Sequence, residues 1–219
     1  MRRQTQFTLV AGAALALVLV VLLLVNRSGD GDGPAVVDTA EETSLLVRED
    51  SHVLGEEGSG DVTFVEFLDF ECEACGAAYP IVEQLREDYA GQVTFVARYF
   101  PLPNHTNAMP AARAVESAAR QGKFEEMYQK MYETQSAWGE QQTVLDGLFR
   151  QYAEELGLDM AQYDADYASE EVAARVQRDI DDGTALNITG TPTFFVNGEP
   201  FQPQSVEDFN RVLDEALAG

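Results

Sequence analysis

Val62-Thr63-Phe64-Val65-Glu66-Phe67-Leu68-Asp69-Phe70-Glu71-Cys72-Glu73-Ala74-Cys75 decides how this chain folds. Apart from Glu66, its first seven residues are apolar or β-branched on both faces, the pattern of a strand buried within a sheet. A three-residue loop then leads to Cys72. Beyond it, Ala74, Ala78, Ile81, Val82, Leu85 and Tyr89 recur at helical spacing. Pro80 removes one backbone donor from that helix and predicts a kink, and Gly91 ends it. Residues 93–99 read as a second strand. Strand, helix and strand within about 38 residues form a βαβ unit, which implies a parallel pair with a right-handed crossover.

Downstream, residues 107–186 are mostly helical in pattern, with helices predicted over 111–120, 124–132, 143–156 and 170–182. Residues 193–196 and 199–201 flank Asn197-Gly198, a strong hairpin signal. A last helix starts at Ser205, with Asp208 completing a capping-box variant, and buries Phe209, Val212, Leu213 and Leu217. The class is α/β: βαβ, an all-helical insertion over about 104–188, then ββα.

Upstream the chain is a different polymer. Arg2 and Arg3 precede an uncharged run over residues 7–25, rich in Leu, Val and Ala. Its nineteen residues would make a helix of roughly 28 Å, close to the thickness of a bilayer core. A secretory signal core is shorter, about 7–15 residues, and ends at a small-residue cleavage site. The run therefore reads as an uncleaved transmembrane signal anchor, with a cleaved signal as the alternative. No cysteine follows it to carry a lipid. Residues 1–6 stay in the cytoplasm under the positive-inside rule and the rest is exported. Residues 26–44, rich in Gly and Asp, form a flexible acidic linker. Residues 45–219 form the folded domain.

Charge and composition exclude several classes. The 219 residues carry 14 basic and 38 acidic side chains, a net −24. Removing the anchor takes away two arginines and no acid, so the exported part stands at −26. That balance argues against a general nucleic-acid binder and against docking on anionic lipid through a basic patch. Hydrophobic residues at 45% are enough for a packed core. Two cysteines cannot build a disulfide scaffold, so Cys72 and Cys75 have one local job or none.

The chemistry lies at that pair. Cysteines separated by two residues can close a small disulfide, and at a helix start the first sulfur meets unpaired N–H groups and the positive end of the dipole. Both favour thiolate, the reactive form. Cys72 is the candidate nucleophile, and Cys75, a turn inward, can resolve a mixed disulfide. Half of a zinc site and a plain structural disulfide are the alternatives, the first weakened because only His52 and His105 remain as further ligands of that kind. Three features add to the redox reading. Glu66 is an acid amid an apolar strand, a candidate proton carrier for Cys75 with a raised pKa, unless it lies at a sheet edge and reaches solvent. Thr191-Pro192 immediately precedes a strand, where a cis bond would set backbone groups beside the sulfurs and a trans bond would be an ordinary turn. The Glu66 strand also leads straight into the motif.

The chain resembles the membrane-anchored, DsbA-like thiol:disulfide oxidoreductases of thioredoxin fold. The resemblance is carried by residues 65–75, by Phe100-Pro101-Leu102-Pro103-Asn104-His105, by Gln121-Gly122-Lys123-Phe124, and by Gly190-Thr191-Pro192-Thr193-Phe194-Phe195-Val196-Asn197-Gly198. It implies Cys72 as nucleophile, Cys75 as resolving cysteine, Glu66 as buried acid, and Pro192 as cis-proline after Thr191. It also implies an apolar substrate groove, unfolded exported proteins as substrates, and reoxidation by a membrane quinone reductase of the DsbB or vitamin K epoxide reductase-like kind. No bound organic cofactor is required.

The chain departs from that family between the cysteines, where His, Tyr or Pro is common and Glu73-Ala74 stands here. A carboxylate about 7 Å away, at an effective dielectric constant of about 20 to 80, opposes thiolate by roughly 0.6–2.4 kcal/mol. The dipole favours it by about 0.3–1 kcal/mol. Glu73, Asp69 and Glu71 are therefore expected to cancel the dipole's help and make a milder oxidant. A thiol reductase or disulfide isomerase with the same site, or a non-catalytic holdase, is the alternative function. His105 reads as a structural loop histidine, with an added catalytic role as the alternative. Asp179, Asp181 and Asp182 read as a solvated helix face rather than a Ca²⁺ site.

Overall fold

A computed structural model describes residues 45–219. The expected anchor at 7–25 and linker at 26–44 lie outside the described residues. Among the described residues, no helix is long and apolar enough to cross a membrane.

Five strands form one sheet: β1 (His52–Leu54), β2 (Val62–Leu68), β3 (Val93–Tyr99), β4 (Thr193–Val196) and β5 (Glu199–Phe201), in the order β1-β3-β2-β4-β5. β2 and β3 are parallel, from Val62 opposite Val93 to Leu68 opposite Tyr99, joined by α1 (Glu73–Asp88). β4 and β1 pair antiparallel to β2 and β3 on either side. β2 is thus the central strand, and its mostly apolar run, broken by Glu66, follows from burial on both faces. α1 is one helix with Pro80 inside it, and Gly91 takes the positive φ of +70° in the turn that follows.

The insertion contains α2 (Ala108–Ala119), α3 (Phe124–Trp138), α4 (Asp146–Glu155), α5 (Met160–Tyr167) and α6 (Glu170–Ala185). The sequence pattern misses α5, which has eight residues and buries only Tyr163. Its signal is the N-cap Asp159, whose carboxylate accepts from the N–H groups of Ala161 and Gln162. α7 (Val206–Ala218) starts at the Ser205–Asp208 capping box and lays Phe209 against Phe64 and Phe194, with ring centroids 6.2 and 5.2 Å away.

Asp179 and Asp182 do not lie on a solvated face. Both are buried, because β3 presents the fully buried Arg98 to them. Arg98 Nε donates to Asp179 at 2.8 Å and Nη2 to Asp182 at 2.6 Å. Its Nη1 donates to the carbonyls of Leu45 and Leu46. Arg175 pairs with Asp179 at 2.6 Å and Arg48 with Asp182 at 2.5 Å. These guanidinium groups take the places a cation would need. Asp181 alone of the three is exposed.

Candidate active site at the start of α1

β2 delivers the chain to a tight loop that ends at Cys72, the N-cap of α1. Cys72 N–H donates to the Asp69 carbonyl at 3.1 Å, and Glu71 N–H to the Asp69 carboxylate at 2.8 Å. The insertion holds the loop from outside. Gln135 Nε2 on α3 donates to the carbonyls of Phe70 (2.7 Å) and Cys72 (2.8 Å). Gly76 makes that approach possible, since a Cβ there would lie 2.0 Å from Gln135 Oε1. The Glu71 carboxylate accepts from Asn107 N–H at 2.5 Å, where α2 begins.

Both thiols are free, the reduced form of the pair. Cys75 is fully buried and Cys72 is 8% exposed. The Thr191–Pro192 bond is cis, and the Thr191 carbonyl accepts from Cys72 Sγ at 3.4 Å. The two ends of the domain thus meet at one sulfur. The Thr191 hydroxyl is buried there and makes no hydrogen bond within the described residues.

The two sulfurs titrate in opposite directions. A hydrogen bond from the Cys75 thiol is the largest influence on Cys72; burial opposes it, and Thr191 and the N–H groups of Cys75 and Ala74 reinforce it. Together they pull the Cys72 thiol down to about 5. Burial pushes the Cys75 thiol well up, helped by its bond to Cys72 and by the charge of Glu66. The charges of Asp69, Glu71 and Glu73 are not among the largest influences on Cys72, and its thiol stays short of the lowest values of the DsbA type, in keeping with a milder oxidant. The Asp69 and Glu71 carboxylates are held by hydrogen bonds from Glu71, Leu102 and Asn107, and direct bonds at the sulfur outweigh charges at a distance.

Glu66 lies opposite Ala97 on one side and Phe194 on the other, so it sits inside the sheet and not at an edge. It is 3% exposed, and burial, then the charges of Cys72 and Glu83, pushes its carboxyl up to about 8. The buried hydroxyls of Tyr128 and Tyr132, whose titration Glu66 also perturbs, have no protein hydrogen-bond partner. The five candidate residues therefore converge on one end of the sheet. Sequence reasoning missed Gln135, Asn107 and the tyrosines, because each reaches the site from the insertion. It also passed over the Asp69–His105 pair, 36 residues apart.

The space beside Cys72 is polar. A cavity of about 400 Å³ is lined by Cys72 with Glu71, Glu73, His105, Glu140 and Gln142, among others. The apolar groove implied by the resemblance does not border the sulfur on this side. A separate cavity of about 310 Å³ is mixed in character, with Leu186, Ile188, Phe195 and Pro200 beside Asn187, Thr189, Thr193 and Gln202, on the flank of the Pro192 loop.

The architecture and the dithiol at a helix start define a thioredoxin-like thiol oxidoreductase fold of the DsbA/BdbD type. The sequence profile of the thioredoxin family matches residues 48–215, and the chain belongs to that family. A thioredoxin-like oxidoreductase from Silicibacter pomeroyi is 29% identical, with a TM-score of 0.67 over 80% of this chain and 97% of that one. BdbD from Bacillus subtilis, solved oxidised, is 25% identical with a TM-score of 0.69, covering 77% of this chain and 94% of that one. A Salinispora tropica protein named Na(+)/H(+) antiporter NhaA 3 is 37% identical over 159 residues, 72% of this chain and 23% of that protein. The chain spans about a quarter of the length of the curated relatives it matches.

Proposed function

We propose that the chain is an extracytoplasmic thiol–disulfide oxidoreductase that introduces disulfide bonds into exported proteins through Cys72 and Cys75. The observation that carries this reading is the dithiol at the start of α1, with Cys72 at the N-cap, its Sγ 3.4 Å from the Thr191 carbonyl and Cys75 buried a turn inward; in that setting the Cys72 thiol is drawn down to about 5 and the Cys75 thiol is pushed up. A thiol that readily holds a negative charge is a good leaving group and stabilises the reduced form, which makes the disulfide form an oxidant.

A substrate thiolate attacks Cys72 Sγ of the oxidised pair, forming a mixed disulfide and releasing the Cys75 thiolate. Cys75, with its raised pKa, takes up a proton, and Glu66 is the carrier in this scheme. A second substrate thiolate then attacks the substrate sulfur, closing a disulfide in the product and releasing the Cys72 thiolate. Thr191 and Pro192 present backbone to the incoming chain beside Cys72, and the mixed polar and apolar cavity past them offers a place for its side chains. Residues 7–25 anchor the domain, residues 26–44 tether it, and a membrane quinone-linked reductase of the DsbB or vitamin K epoxide reductase-like kind reoxidises it.

The test is a trap. Replacing Cys75 with Ala removes the resolving thiol. Mixed disulfides on Cys72 should then accumulate, with exported cysteine proteins, and vanish in Cys72→Ser. Trapping no partner in cells that export such proteins would count against the reading.

A further inference from the structure

The loop between β3 and α2 places one more ionisable group in the cavity that holds Cys72. His105 lines it together with Cys72, and no Lys or Arg is among the lining residues. His105 Nδ1 lies 2.6 Å from an Asp69 carboxylate oxygen. That carboxylate is fully buried and also accepts from the N–H groups of Glu71 (2.8 Å) and Leu102 (2.9 Å). Three contacts fix it in one orientation, and it in turn fixes the imidazole: Nδ1–H points at Asp69, and Nε2 makes no hydrogen bond within the described residues. The His105 side chain is 24% exposed, so Nε2 is available to the cavity. The same Asp69 accepts Cys72 N–H through its carbonyl. One residue therefore positions the sulfur and the ring.

We infer that His105, oriented by Asp69, is the cationic partner of the Cys72 thiolate and stabilises that sulfur as it leaves the mixed disulfide. The inference rests on the thiol–disulfide reading of the site and adds a residue to it. In the second step a new S–S bond forms within the substrate and the substrate–Cys72 bond breaks. Its electron pair passes to Cys72 Sγ, and the proton of the second substrate thiol passes to solvent. The imidazolium lines the same cavity as the sulfur on which the charge appears. The only oxidant consumed is the Cys72–Cys75 disulfide.

The groups around the ring support a charged state at neutral pH. Burial lowers the His105 pKa, but the Asp69 hydrogen bond and the charges of Asp69, Cys72 and Glu71 outweigh it and hold the imidazole above its ordinary value. Glu73 from α1 and Glu140 from the α3–α4 loop line the same cavity and act in the same direction. With Glu73-Ala74 between the cysteines, His105 brings from another loop a cation that the dipeptide lacks.

Such a pairing must be reciprocal: what His105 does to Cys72, Cys72 does to His105. The chain has only two histidines, so each imidazole can be followed by NMR. In the unaltered protein, His105 should titrate at higher pH in the dithiol form than in the disulfide form, on the order of tenfold in its proton affinity. In His105→Gln, thiolate absorbance should show a loss of similar size, about tenfold, in the acidity of Cys72. An unchanged Cys72 titration in that variant, or identical His105 titrations in both redox forms, overturns the inference. Both readouts concern the protein's own sulfur and ring. Failure to trap any substrate would therefore strike the oxidase reading and leave this pairing to be judged on its titrations.

Discussion

Replacing Glu66 with Gln should make the protein more stable, by an amount that grows with pH. The carboxyl stands inside the sheet, and burial first, then the Cys72 and Glu83 charges, lifts it from 4.5 to about 8. Between those values the folded protein holds a proton that the unfolded chain has released. Stability is then lost as pH rises, at about 1.4 kcal/mol per pH unit. The loss is near zero at pH 4.5 and reaches about 3 kcal/mol at pH 7. It levels off above the folded value of about 8, at roughly 5 kcal/mol. Gln has nearly the same shape and no proton to lose, so it removes this whole dependence. Trp138, the single tryptophan and fully buried, gives the signal. Urea unfolding of the dithiol form should be followed by its fluorescence at several pH values, with wild type and Glu66→Gln in parallel. The curves should coincide near pH 5 and separate above it, with the variant on top. A constant gap across that range, or a variant that loses ground as pH rises, would refute the argument.

Three other outcomes follow from contacts described above. The same Glu66→Gln variant should slow release of a Cys72 mixed disulfide by Cys75 by about 10²–10⁴-fold if Glu66 carries the proton, which stopped-flow thiol exchange can read. Arg98→Ala strips the central guanidinium from Asp179 and Asp182 and should cost about 3–5 kcal/mol in urea unfolding. Gly76→Ala forces Gln135 off the carbonyls of Phe70 and Cys72 and should cost about 1–3 kcal/mol. Because Gln135→Ala removes the clash, the Gly76→Ala/Gln135→Ala double variant should lose less than the two single variants together.

What could be read from the sequence was local. The run from Val62 to Leu68 is apolar in a way that only a central strand explains, and its one acid drew attention to Glu66. Asn197-Gly198 marked the hairpin, and both residues adopt positive φ, 51° and 92°. Ser205 and Asp208 announced α7. What escaped depends on partners far along the chain. Arg98 looks like a surface residue in its strand, since Asp179 and Asp182 lie 81 and 84 residues away. No local pattern separates a buried acid on α6 from a solvated one. β1 has three residues, too few for a periodicity, and is defined by its pairing with β3. The bonds that set the charge of Cys72 are hidden in the sequence for a related reason. The acids beside it in sequence are tied to Leu102, His105 and Asn107 in space, and the bonds that reach the sulfur set its charge.

The reduction potential of the Cys72–Cys75 pair tests the assignment as an oxidase most directly. It can be read by equilibrating the protein with glutathione buffers and counting the free thiols. A Cys72 thiol at about 5 stabilises the dithiol form, so the pair should lie more positive than about −200 mV, short of the roughly −120 mV of the strongest DsbA-type oxidant. A potential near −270 mV, that of thioredoxin, would show electrons flowing the other way and contradict the assignment as an oxidase.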